Sequence, residues 1–242
     1  ESAAKGDPSK VYLFHELSEL YCSLQMYEDA LRTLQHALNI NHEEEDDDDD
    51  IYTLITDVKT YTIMADVYQG AEHNDGIRDA LTQAWNLQSD ILSKLRAENP
   101  DAKREQKDIA ATLCYRLAEH YKKQSDTEKA LQYYNESLKH NEGYEKSRLS
   151  LAKLHLINGD LDACQQQCIT LMRLDPNNKE ASLMLADLMS RKNEHEAATY
   201  HFQQLLEKNP TRYDALNKLI QLLRRAGRLS DTPKFLKLAE KF

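Results

Sequence analysis

Leu151-Ala152-Lys153-Leu154-His155 sets a large apolar residue, a small one and a second leucine within one helical turn. Thirty-four residues on, the chain repeats the pattern as Leu185-Ala186-Asp187-Leu188-Met189, and after the same step again as Leu219-Ile220-Gln221-Leu222-Leu223. The same step backwards gives Leu117-Ala118-Glu119-His120-Tyr121. The second half of each unit keeps time. Ala130, Cys164, Ala198 and Thr232 form one column, and Tyr134, Cys168, Phe202 and Leu236 another. Pro176 and Pro210 close two successive units. Four units share one register.

Upstream, Leu17, Ser18 and Tyr21 followed by Ala30, Leu34 and Ala37 repeat the internal offsets. A degenerate unit has Ala65 and Tyr68, then Ala80, Ala84 and Leu87, with its halves spread by three residues around Gly70–Gly76. About nineteen extra residues precede the unit near Ala111, which predicts longer helices there. Apolar residues three and four apart make a helical stripe. A small residue in each helix lets two antiparallel backbones approach closely. Asn158-Gly159-Asp160, Ala226-Gly227 and Ser230-Asp231-Thr232-Pro233 read as helix stops and starts. Pro233 falls in a first turn, where a missing N–H is tolerated.

This is the tetratricopeptide pattern: Trp-x2-Leu-Gly-x2-Tyr, then Ala-x3-Phe, then Pro, over 34 residues. The chain departs from it in lacking the Trp and in carrying Ala, Ser or Ile for the first Gly. The expected fold is all-α, a tetratricopeptide-repeat α-solenoid in which antiparallel helix pairs wind as a right-handed superhelix. One continuous array over 1–242 is expected, with repeats at 11–42, 52–98, 111–144, 145–178, 179–212 and 213–242 and an acidic inter-repeat loop at 43–50.

Composition agrees with helices joined by short turns. Of 242 residues, 30% are charged and only 6 are Gly and 5 Pro. No run of 18 or more apolar residues occurs, so no segment is expected to insert in a membrane. The chain begins at Glu1 and ends at Phe242 within a helical pattern, which reads as an internal piece of a longer protein. Cys22, Cys114, Cys164 and Cys168 follow no disulfide-framework spacing, and a reducing, intracellular compartment is expected. Of the net charge of −10, residues 191–242 carry +5 and the first 190 carry −15. That polarity suits a protein partner with a complementary pattern, and it is a weak footprint for nucleic acid, which is not expected as a partner.

Local features yield no reactive site. Glu43-Glu44-Glu45-Asp46-Asp47-Asp48-Asp49-Asp50 repels itself and reads as a solvated loop; it lacks the alternating ligands and central Gly of a calcium loop. Cys164 and Cys168 lie one turn apart but occupy buried columns, and no second ligand pair follows at zinc-site spacing. The nine histidines form no catalytic signature, and phosphate-loop glycine spacing is absent. Neither an activity, a cofactor nor a metal is expected. Tyr12, Tyr133, Tyr134, Phe202 and Trp85 read as core at helical spacing; Trp85, beside the irregular turn, has partner contact as its second reading.

The first helix of each pair lines the concave face of such arrays. Register places Tyr115, Glu119, Lys146, Leu149, Lys153, Leu183, Met184, Asp187, Asn217 and Lys218 there as candidate protein-binding residues. Tetratricopeptide co-chaperones that grip a heat-shock C-terminal carboxylate use Lys and Asn on successive first helices. The corresponding places here hold Tyr115 and Glu119, Leu149 and Lys153, Leu183 and Asp187, so that clamp is missing. Leu149, Leu183 and Met184 suit a helix or extended segment with apolar anchors, or simply complete the stack.

Within 145–242, Ser150-Leu151-Ala152-Lys153-Leu154, Gly159-Asp160-Leu161-Asp162-Ala163-Cys164-Gln165, Gln203-Gln204-Leu205-Leu206-Glu207 and Leu222-Leu223-Arg224-Arg225 carry a narrower likeness. The segment resembles the family of large tetratricopeptide subunits of intraflagellar transport complex A. The resemblance implies a non-catalytic scaffold in retrograde, dynein-driven ciliary transport and in ciliary entry of membrane receptors. It implies a cytoplasmic location at the cilium and its base, and WD-repeat and helical-repeat proteins as partners. Two other readings stand beside it: an adaptor, chaperone-linked or otherwise, binding peptide segments in its groove, and the recognition arm of a larger enzyme.

The register makes Ala152 a helix–helix contact. Ala152→Trp is expected to overfill it and cost at least about 1–3 kcal/mol, read as a lower melting temperature and reduced helicity. An unchanged melt would refute the register.

Overall fold

The structure, a computed structural model, describes residues 9–43, 51–95, 100–208 and 212–239. The described residues form six successive helix pairs: α1 (Ser9–Ser23) with α2 (Tyr27–Glu43), α3 (Ile51–Gly70) with α4 (Asn74–Lys94), and α5 (Pro100–Lys123) with α6 (Thr127–His140). The series continues as α7 (Glu145–Asn158) with α8 (Leu161–Leu174), α9 (Lys179–Arg191) with α10 (His195–Lys208), and α11 (Tyr213–Arg225) with α12 (Thr232–Ala239). The fold is an α-helical tetratricopeptide-type repeat array. Its helices group into two compact units, Glu1–Glu142 and Gly143–Phe242. The long helices expected before Ala111 are present: α5 starts at Pro100 and runs 24 residues. The acidic segment 44–50 lies outside the described residues.

The small-residue columns are the points of closest packing. Ala118, Ala130, Ala152, Cys164, Ala186 and Ala198 are all wholly buried, each beside a buried large residue such as Leu117, Tyr134, Leu151, Cys168 or Phe202. Cys164 and Cys168 therefore belong to the core of the second unit. A hydrogen bond from Cys164, with burial, pushes the Cys168 thiol up, and burial pushes the Cys114 thiol up as well; neither group is poised as a thiolate. Gly76 follows the same logic, since a Cβ there would sit 2.5 Å from the Tyr68 ring.

Every pair turns in the same way. A residue with positive φ ends the first helix: Gln25, Glu72, Ser125, Gly159, Asn193 and Gly227, four of them spaced by 34. The following amide donates to the carbonyl five residues back, as in Met26 to Tyr21, Asp126 to Tyr121, Asp160 to His155 and Arg228 to Leu223. The left-handed residue and this bond are the Schellman device for ending a helix. Asp126 and Asp160 then cap the second helix through Lys129 N–H and Ala163 N–H.

The last pair departs from the expected register. A short 3-10 turn (Leu229–Asp231) precedes α12, so the helix begins at Thr232 rather than three residues earlier. Phe235 is buried and Leu236 is 42% exposed, although the 34-residue count aligns Leu236 with Phe202. Thr232 is only half-buried. Pro233 accounts for the shift: with no N–H and a fixed φ, it is accommodated best in a first turn.

Polar bonds stitch the first unit. His15 donates Nε2–H to Thr60 Oγ1 at 2.8 Å, and Thr60 donates onward to the Thr56 carbonyl, which fixes the neutral Nε2–H tautomer. Buried Gln88 donates to the backbone carbonyl and side-chain oxygen of Gln106, tying α4 to α5. Trp85 packs into the same core, its ring 5.3 Å from His140 edge-on. It is therefore a structural residue first.

Two outcomes follow. Ser125 holds the strained conformation that Gly159 and Gly227 adopt freely, so Ser125→Gly is expected to stabilise by about 0.5–1 kcal/mol in urea denaturation. Burial holds His15 down to about 4 from an ordinary 6.5. The folded pKa is the lower one, so its contribution is complete above the unfolded value and is lost as pH falls from about 6.5 towards about 4. The urea midpoint should drop between about pH 7 and about pH 5, and less steeply in His15→Gln.

Candidate functional site

The first helices of the second unit present one linked surface. α7, α9 and α11 follow the same sequence pattern, and their charged residues meet across helices. Lys153 on α7 pairs with Glu180 on α9 at 2.8 Å. Asp187, two turns along α9, pairs with Lys218 on α11. In the first unit, Arg116 on α5 likewise pairs with Asp66 on α3 at 2.5 Å. Each is a partly exposed pair, worth at most about 1 kcal/mol, but together they leave little unspent charge along the face.

Between the two rungs lies a hollow of about 290 Å³ lined by Lys153, Leu156, Glu180, Leu183, Met184, Asp187 and Arg212. Its polar rim is balanced. Arg212 donates two bonds of 3.2 Å to Asp214, whose carboxyl it holds below the usual range. The floor is apolar, with Met184 buried at 7% exposure and Leu183 half-buried.

Of the residues singled out from sequence, Lys153, Leu183 and Met184 share this hollow, and Lys218 adjoins it through Asp187. Met184 is mainly a core residue whose edge reaches the surface. Leu149 is half-buried against the core, while Lys146 and Asn217 are exposed and do not line the hollow. Tyr115 belongs to a separate hollow of about 250 Å³ in the first unit, with Gln69, Asn74, Ile77, Leu81, Arg116, Glu119, His120 and Lys123. There Glu119 is engaged by the Tyr134 hydroxyl at 2.5 Å and by Lys122. Burial lowers the pKa of His120, which keeps that ring neutral at neutral pH.

Leu156, Glu180 and Arg212 are hollow residues absent from the register-based set. Glu180 had a signal: it lies 27 residues after Lys153, two helical turns short of a full repeat, the offset of opposite charges on neighbouring first helices. Arg212 had none, since it stands in a connection. Nowhere among the described residues do three or more His, Cys, Asp or Glu gather as metal ligands, and no helix of those residues is long and apolar enough to cross a membrane. The surface offers shape, an apolar floor and self-paired charges, a chemistry of contact.

Comparison with known proteins gives this surface its setting. Residues 1–138 match the family described as the fourth ARM domain of tetratricopeptide repeat protein 21. Residues 179–242 match its fifth ARM repeats domain, and residues 121–188 match a general tetratricopeptide repeat family. The chain is 41% identical to human tetratricopeptide repeat protein 21B and 38% identical to human tetratricopeptide repeat protein 21A, in each case over 99% of its own length and 18% of the relative. A Caenorhabditis briggsae homologue is 26% identical over 93% of the chain. The likeness thus extends well beyond residues 145–242. The chain spans about a fifth of the length of these relatives.

Among solved structures, Pseudomonas aeruginosa pilF aligns with a TM-score of 0.61 at 16% identity, covering 96% of this chain and 91% of that one. YrrB, a tetratricopeptide protein described as having an unusual peptide-binding site, aligns at 0.57 and 18% identity, covering 85% of this chain and 89% of its own. At such identities the likeness is one of fold.

Proposed function

The chain belongs to the tetratricopeptide repeat protein 21 family, and from that premise we propose that it is a non-catalytic scaffold segment of the intraflagellar transport A complex. In that role it supports retrograde ciliary transport and the ciliary entry of membrane receptors. It works in the cytoplasm, at the ciliary base and within the cilium, and its partners are WD-repeat and helical-repeat subunits of the same complex.

The observation that carries the scaffold reading is the pairing of charge across successive first helices, Lys153–Glu180 and Asp187–Lys218. A peptide clamp needs free cations aimed at an anionic terminus. Here Lys153 and Lys218 are already engaged, and the hollow between them has an apolar floor around Leu183. Such a face holds a neighbour by complementarity of shape, as permanent assemblies do. The wholly buried column residues Ala152, Cys164, Ala186 and Ala198 keep that contour rigid.

The test is a full-length protein carrying Lys153→Glu and Leu183→Asp, expressed in ciliated cells. The expected result is a loss of at least about half of the co-purified WD-repeat subunits, consistent with loss of one anchor residue, and accumulation of transport material at ciliary tips. The purified variant should melt within a few degrees of the unmodified chain. Normal co-purification and normal cilia would sink this reading.

A further inference from the structure

A second hollow in the 143–242 unit, of about 180 Å³, has no part in the face described above. It is built from α8, α9 and α10 and their connections. Met172, Pro176 and Leu205 supply apolar wall, and Tyr200, 58% exposed, stands at its rim. The polar lining is one-sided: Lys179, Lys208 and His201 with Asn177, Ser182 and Gln204, and no carboxylate. On a chain of net charge −10, a carboxylate-free hollow with two lysines is unusual.

None of the neighbouring acids forms an ion pair with its lysines among the described residues. Asp175 accepts from the Asn177 amide at 2.9 Å, Glu180 is paired with Lys153, and Glu207 accepts from Gln204 at 3.3 Å. Lys179 and Lys208 are both exposed, and among the described residues neither has an ion-pair partner; Lys208 touches only the Asn177 side-chain oxygen, at 3.3 Å. The first turn of α9 contributes Lys179 and Ser182, and the last turn of α10 contributes Leu205 and Lys208. Burial lowers the pKa of His201, which leaves it a neutral hydrogen-bonding ring near pH 7 and the lysines the charged groups.

We propose that this hollow is a docking site for an acidic peptide segment of a partner protein, with carboxylates held by Lys179 and Lys208 and an adjoining apolar side chain set against Met172, Leu205 and Tyr200. No arginine lines the hollow, so the two lysines would act on the segment's carboxylates as separate point charges. An exposed tyrosine beside two cations supplies the amphipathic contact that peptide anchors need. The site lies apart from Leu183 and Lys153, so it stands whether or not the assembly proposed above is correct.

The test is fluorescence anisotropy on the 242-residue chain with a short fluorescein-labelled peptide of alternating glutamate and leucine. Saturable binding is expected, weakening steeply as salt rises from about 50 to about 300 mM. Lys179→Glu with Lys208→Gln should weaken it by at least about tenfold, and Tyr200→Ala by a smaller factor. All three side chains are exposed, so circular dichroism and melting should be unchanged. Lys218→Gln, on the first-helix face and paired only with Asp187, should leave binding as it was. Equal loss in Lys218→Gln would move the peptide to that other face and overturn the assignment. Absence of saturable binding would overturn it too, and so would binding only when phosphoserine replaces glutamate.

Discussion

Close approach of two helix backbones is the constraint on which each repeat rests. Ala118, Ala130, Ala152, Cys164, Ala186 and Ala198 are each wholly buried, so a larger side chain at any of them would have to displace its neighbours. A repeat pair cannot bury its own faces, so stability comes from stacking pair on pair within a unit. Tight columns fix the distance, and large residues such as Tyr134, Leu151 and Phe202 then fill the space that the distance leaves. Dense packing of this kind transmits shape faithfully along each stack.

The turns convert that packing into a repeat. Six first helices end on one left-handed residue closed by the same backbone bond, although only two of the six residues are glycine. Gln25, Glu72, Ser125 and Asn193 hold a conformation that costs an ordinary side chain about 1–2 kcal/mol. The geometry is imposed by the helices on either side, which is why the turn persists when its sequence signal is lost. Sequence inspection found Asn158-Gly159-Asp160 and Ala226-Gly227 because glycine marks them. The equivalent places at Ser125 and Asn193 carry no such mark.

Charge is handled differently on the two surfaces of the second unit. Along α7, α9 and α11, opposite charges meet across helices at Lys153–Glu180 and Asp187–Lys218, and the hollow beside them has an apolar floor at Leu183 and Met184. Around Tyr200 two lysines with no ion-pair partner among the described residues line a partly apolar hollow. Buried fit and screened attraction respond differently to salt, so the contact proposed for the first-helix face and the one proposed for the hollow would be separable by ionic strength.

The sequence by itself determined the period, the pairing of helices, the small-residue columns and the absence of any recognisable catalytic pattern, since all of these are written in spacing along one dimension. It also placed Lys153, Leu183 and Met184 on a shared face from their register alone. Tertiary structure decided the rest. It set Phe235 rather than Leu236 into the last core position, because Pro233 delays the start of α12. It brought Glu180 and Arg212 to the hollow and engaged the charges of Lys153 and Lys218, and it set Trp85 half-buried against the core of the first unit. Which charges are spent and which are free depends on the offset between neighbouring helices, a quantity fixed by how their side chains interlock and not by the order in which the residues are strung.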